Sequence, residues 1–281
     1  MFGPLRRGWI AGIFLVGLTV LPLVNAVAED EARIGLQLRV LCYNIHHGRG
    51  NDGNVDLERI AAVIRRVNPD LVALQEVDRG TRRTAGVDQT AELARLTGLQ
   101  GKFVKQIDYE GGEYGQAILS RFPLPEPKVH WLPGDPPREQ RIAGAVDLTL
   151  AGQRLTFATT HLHHADGAIR LDQANALNTL FAGRANPVIL AGDLNAVPGS
   201  PPLAELTQQW HVAQSPKNLT PGAPESGELA TFPAALPTRQ IDYVLTTPRG
   251  AFQIQSAQVL DEPLASDHRP LLVVLTLAPR P

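Results

Sequence analysis

Cysteine is nearly missing from this chain: Cys42 stands alone among 281 residues. A single thiol excludes an intramolecular disulfide framework, so the fold must rest on its apolar core. Cys42 sits within the apolar run 38–43 and reads as a buried thiol, not a nucleophile, because free cysteine is among the most buried residue types. Aromatic residues are scarce as well, at 5%. No segment interleaves them with lysine and arginine as a dedicated single-strand nucleic-acid binder would. Nor is there an excess of positive charge, since 26 Lys+Arg face 28 Asp+Glu. That balance excludes the electrostatic footprint of tight nucleic-acid binding, but not weak and brief contact with a nucleic acid. Low-complexity tracts and internal repeats are also missing. With 43% hydrophobic and 19% charged residues, the composition is that of a globular chain long enough to bury a sizeable core.

Only one long hydrophobic run exists, over residues 10–24. Arg6 and Arg7 precede it, and Ala26-Val27-Ala28 follows with small residues at signal-peptidase spacing. This pattern predicts a secretory signal peptide over 1–28, cleaved after Ala28 or Ala26. The run is shorter than the roughly 20 residues of a membrane span; left uncleaved, it would act as an N-terminal anchor. In both cases the folded part, 29–281, is expected outside the cytoplasm, periplasmic or secreted. Without the two leader arginines it carries 24 Lys+Arg against 28 Asp+Glu, a net charge of −4.

Leu36, Leu38, Val40 and Cys42 alternate with other residues and predict a strand over 36–44. Leu57, Ile60, Ala61, Ile64 and Val67 share one face of a helix over 55–67. Asp56 and Glu58 favour its positive end, and Asn68-Pro69 stops it. A short strand at 71–74 runs into Gln75-Glu76. A helix over 89–97 ends at Gly98. Strands are expected at 116–120, 144–150 and 154–160, a helix at 169–181, a buried strand at 187–191 and a short helix at 203–208. Residues 214–238, rich in Pro, Gly and Thr, read as a long loop. Strands at 241–246, 252–259 and 270–277 close the chain. No linker divides it, so one domain is expected, with two sheets packed face to face and covered by helices.

Polar residues recur where these strands end, a rigid position beside a solvent-facing loop that suits a site. The segments are Tyr43-Asn44-Ile45-His46-His47-Gly48, Leu74-Gln75-Glu76-Val77-Asp78, Thr160-His161-Leu162-His163-His164, Gly192-Asp193-Leu194-Asn195 and Ser266-Asp267-His268-Arg269-Pro270. Ile241-Asp242-Tyr243 adds a strand start. In this order they resemble the endonuclease/exonuclease/phosphatase family, the DNase-I-like phosphoesterases, over about residues 38–277. Any one segment is weak; the ordered set is specific. The resemblance implies a four-layer α/β/β/α sandwich of two mixed sheets flanked by helices, and hydrolysis of a phosphate ester by water at one edge.

Glu76 and Asp267 offer carboxylate oxygens and Asn44 a carbonyl oxygen, a hard set that suits Mg²⁺ or Mn²⁺ better than Zn²⁺. The resemblance makes Glu76 the principal ligand, with Asn44 and Asp267 alongside. A carboxylate that accepts an imidazole N–H favours the charged ring, and the resemblance places the Asp242–His268 pair beside the scissile phosphate. His268 and Asp193 remain alternatives for the base, with Asn195 orienting water or phosphate. By resemblance, His161 donates a hydrogen bond to a phosphoryl oxygen.

Tyr114, in Tyr114-Gly115-Gln116, resembles a family residue lining the phosphate site. Arg138 is a further candidate substrate contact, and Arg141 is either a contact or a surface pair. His46 stands where some relatives carry a metal-binding acid. His163 projects to the same side as His161 if the segment is extended. With His47 and His164, these read as solvated or phosphate-contacting loop histidines; a second, transition-metal site is the alternative. Arg170 reads as a surface residue. The expected substrate is a phosphodiester, in a nucleic acid or a phospholipid head group. A phosphomonoester such as an inositol phosphate or nucleotide, or a non-catalytic binding module on the same fold, are the alternatives, because fold does not fix function. A monomer is expected.

Overall fold

The computed structural model describes residues 35–134, 139–215 and 229–278, with Met1 and Gly3. The expected signal segment, Arg138 and part of the 214–238 loop therefore lie outside the described residues. Among the described residues no helix is long and apolar enough to cross a membrane.

In chain order the strands are β1 (Leu36–Asn44), β2 (Leu71–Arg79), β3 (Gln100–Tyr109), β4 (Gly112–Ser120), β5 (Lys128–Trp131) and β6 (Ile142–Leu150). They continue as β7 (Gln153–His161), β8 (Val188–Asp193), β9 (His211–Val212), β10 (Asp242–Thr247), β11 (Phe252–Val259) and β12 (Leu271–Leu277). Helices α1 (Leu57–Val67), α2 (Gln89–Thr97), α3 (Gly167–Leu177) and α4 (Pro201–Gln209) lie between them. One sheet runs β11-β12-β1-β2-β4-β3 and the other β5-β6-β7-β8-β10-β9.

Each sheet holds one parallel pair, β1 with β2 and β7 with β8, and its other pairs are antiparallel. A parallel pair needs a crossover, which α1 supplies in the first sheet and α3 in the second. Period-two alternation then sorts the side chains. Leu38, Val40 and Cys42 enter the core between the sheets, facing Leu155, Phe157 and Ile189. Leu41 and Tyr43 point the other way and pack with Ile60, Ile64 and Leu93 of the helices. The second sheet does the same with Ala158, Leu190 and Tyr243 against Ala174, Leu177 and Leu206. The result is the four-layer α/β/β/α sandwich.

Several expected elements are refined. The 55–67 helix starts at Leu57 because Asp56, in extended backbone, accepts the Arg59 N–H as its N-cap. The 169–181 helix splits into α3, capped by Asp166, and a π-turn at Asn178–Ala182. Strands β3, β5 and β9 were not expected from the sequence. All three are sheet edges, where one ladder is open and polar residues are tolerated on both faces, so the hydrophobic alternation is weak.

Candidate active site

The C-terminal ends of both parallel pairs open onto the same edge of the sandwich. Asn44 ends β1 opposite Gln75 of β2. His161 ends β7 opposite Asp193, the last residue of β8. Asp193 is also paired with Asp242, the first residue of β10. Glu76 follows Gln75 at a bulge where the β2–β4 register slips, and its φ of 58° is left-handed. A bulge re-aims a side chain out of the ladder, and here it leaves Glu76 half-buried beside Asn44.

The side chains form one continuous cluster. The Asn44 amide nitrogen donates to Glu76 Oε1 at 3.0 Å and to Asp193 Oδ2 at 3.2 Å. Asp193 Oδ2 lies 3.4 Å from His161 Nε2 and 3.7 Å from His268 Nε2. His268 Nδ1 lies 2.9 Å from Asp242 Oδ2, which also accepts the Thr231 hydroxyl. The Asn195 N–H donates to Asp193 Oδ1 at 2.8 Å, and its amide nitrogen lies 3.2 Å from His161 Nε2. Ser266 Oγ donates to the Asn44 carbonyl at 2.8 Å, which ties the last loop to β1 and brings Asp267 to the same edge.

Burial sets the electrostatics. Asp193, His268 and His161 are almost wholly enclosed. Desolvation, then the charge of Asp242, holds the Asp193 carboxyl up to about 7. Burial alone would strip His268 of its proton, but Asp242 and Asp193 outweigh it and hold the ring up to about 10. Burial, the Arg141 guanidinium and His268 drive His161 well below the usual imidazole range, so it is neutral at neutral pH. Asp193, Asp242 and His268 offer atoms within 4.8 Å of one another. This group is a cationic ring between two carboxylates, which leaves little reason for a metal there.

The carboxylates of Glu76 and Asp267, joined through Asn44 and the 44–46 turn, fit a divalent cation by their chemistry. Asn44, expected to offer its carbonyl oxygen, presents its nitrogen to Glu76, while its Oδ1 accepts the His46 N–H at 3.1 Å. His46 Nδ1 lies 3.7 Å from Asp267 Oδ1.

Tyr114 is buried beside Glu76 and lines a cavity of about 150 Å³ with Glu76, Arg83, Ile107, Tyr109 and Glu139. His163 is otherwise engaged: its Nδ1 accepts the Asp166 N–H at 2.9 Å, which shapes the turn into α3. Arg170, read as a surface residue, donates to the His163 and His164 carbonyls and pins this loop.

Arg141 is the residue that sequence reasoning undervalued. It is 2% exposed, lies 2.7 Å from Glu139 through Nη1, and places Nη2 3.4 Å from His164 Nδ1. Its Nε has no hydrogen-bond partner among the described residues. A buried guanidinium near His161 adds positive charge to this edge of the site. The only sequence signal was its place at a strand start next to Ile142.

The description of the matching family model is endonuclease/exonuclease/phosphatase family, over residues 41–268. No curated protein matches the chain at a significant level. Among solved structures, an endonuclease/exonuclease/phosphatase from Beutenbergia cavernae is 26% identical, with a TM-score of 0.64 over 86% of this chain and 72% of that one. A mannosyl-6-phosphatase of Bacteroides thetaiotaomicron is 19% identical, with a TM-score of 0.68 over 85% of this chain and 100% of that one. The human Nocturnin catalytic domain is 21% identical, with a TM-score of 0.64 over 87% and 96%.

Proposed function

Because the chain belongs to the endonuclease/exonuclease/phosphatase family, whose phosphoesterase fold it carries, we propose that it is a metal-dependent phosphodiesterase with Asp193 as its base. Support for the base comes from the two buried groups at the centre. His268 keeps its proton to about 10, whereas Asp193 loses its own near 7. At neutral pH the carboxylate is therefore able to take a proton from water, and the imidazolium is able to hold a phosphate oxygen. Asp242 keeps His268 charged and fixes its ring through Nδ1. Asn195 holds Asp193 through its N–H. His161 and the positive charge of Arg141, both close to this centre, would stabilise the negative charge that develops on phosphorus oxygens. Glu76 and Asp267 would hold the divalent cation, Mg²⁺ or Mn²⁺, with Asn44 beside them. Bound there, it would neutralise phosphate charge and stabilise the leaving oxygen.

A diester is favoured because the phosphate-binding groups have a flank on each side. Beside Glu76 lies the Tyr109–Tyr114 cavity. Beside His268 lies the partly exposed Phe232 ring, its centroid 4.8 Å from the imidazole. The leader-like run 10–24 supports export of the folded part. The test is hydrolysis of bis-p-nitrophenyl phosphate and of p-nitrophenyl phosphate with Mg²⁺ or Mn²⁺, followed by plasmid DNA, RNA and sphingomyelin. The diester should turn over, and Glu76→Ala should cut that rate by at least about a hundredfold. Turnover of the monoester alone would overturn the diester assignment. No turnover of either would favour a binding module.

A further inference from the structure

The turn after β1 carries more metal-ligating chemistry than an oxygen-only site needs. His46 and His47 both adopt left-handed backbone with φ of 45°. A ring nitrogen from each and a Glu76 carboxylate oxygen lie within 4.8 Å of one another, so small side-chain rotations bring all three onto one ion. Asp267 adds a second carboxylate 3.7 Å from His46 Nδ1. The turn is pinned at both histidines: Asn44 Oδ1 accepts the His46 N–H, and Gln89 donates to the His47 carbonyl at 2.7 Å.

An independent observation points to a ligand. His47 is 7% exposed, and its Nδ1 is buried without a hydrogen-bond partner among the described residues. A ring buried only for packing would leave that nitrogen uncompensated, which folded proteins seldom tolerate.

We propose that His46, His47 and Glu76 bind a first-row transition-metal dication, Mn²⁺, Co²⁺ or Zn²⁺, in preference to Mg²⁺. The proposal rests on the reading of Glu76 as the residue that holds the cation, and gives that cation two nitrogen ligands. Mg²⁺ favours all-oxygen shells, whereas imidazole raises affinity along the series from Mn²⁺ to Zn²⁺.

The test is calorimetric titration of the full-length protein, stripped with EDTA and dialysed, with MnCl₂, ZnCl₂ and MgCl₂. Co²⁺ is added in parallel and followed by its visible d–d absorption. Mn²⁺ and Zn²⁺ should bind at least about tenfold more tightly than Mg²⁺. His46→Ala and His47→Ala should each lose about 10- to 100-fold of that affinity and weaken the Co²⁺ band, with Mg²⁺ binding little changed. His46 is partly exposed, so its truncation tests the site even where His47→Ala unfolds the turn. Wild-type affinities for Mn²⁺ and Zn²⁺ in His46→Ala, or Mg²⁺ binding as tight as Mn²⁺, would overturn the proposal and leave the hydrolase standing. Loss of affinity in the histidine variants, without turnover of any phosphate ester by the wild type, would sustain the site and sink the hydrolase.

Discussion

At the residue scale, two buried groups with opposite charge share one centre, and Asp242 pushes both the same way. Its negative charge, second to burial for Asp193, keeps a proton on that carboxyl up to about 7. Against the pull of burial, it keeps a proton on His268 up to about 10. A base must be deprotonated and an oxyanion-binding imidazole protonated. Activity should therefore rise as pH passes about 7, hold, and fall as pH passes about 10, read as kcat/KM on the diester. Asp242→Asn removes the charge behind both shifts, so both limbs should move to lower pH and the plateau drop by roughly 10²–10⁴-fold. A falling limb left in place by Asp242→Asn would show that His268 does not carry it. Glu76, His161, Asp193 and His268 were legible as candidates because they belong to an ordered set of polar segments, although Glu76 lies at a bulge inside β2 and His268 in the loop before β12. Arg141 was not legible: its burial and its unpartnered Nε depend on packing against segments far along the chain, such as the one that carries His164.

At the scale of elements, the site depends on how closely β7 and β8 approach. A Cβ added to Gly192 would sit 2.1 Å from the Thr160 carbonyl oxygen. The pair could not accept it without parting, and His161 and Asp193 sit one residue further along. Overpacking of this kind costs about 1–3 kcal/mol. Gly192→Ala should lower the Tm by several degrees in thermal unfolding followed by circular dichroism, at about 2–4 °C per kcal/mol. It should also lower turnover. An unchanged Tm would mean that the strands yield at no cost. The core strands and α2 were legible from periodicity and from Gly98, whose left-handed φ of 73° closes the helix. The edge strands β3, β5 and β9 were hidden because their partner ladder, not their own pattern, makes them strands.

For the whole molecule, three apolar layers hold the sandwich together, so the fold does not wait for a cation. Binding to the folded state alone should still show. At a concentration of about 100 times Kd the cation adds about 2.7 kcal/mol, which at 2–4 °C per kcal/mol raises the Tm by about 5–10 °C. Mn²⁺ should produce this shift in a thermal melt, EDTA should reverse it, and Glu76→Ala should show none. A shift that persists in Glu76→Ala would place the cation elsewhere. The sequence by itself determined the layers, because period-two strands and period-3.6 helices have fixed apolar faces that must be buried. It also singled out the polar segments that gather at one edge, because they occur in a recognisable order. Only the tertiary structure decided which of them touch. Asn44 and Asp193 are 149 residues apart in the chain yet 3.2 Å apart in space. The sheet packing that joins them also set the charge of the site, since a pKa follows burial and neighbours that no local stretch of sequence contains.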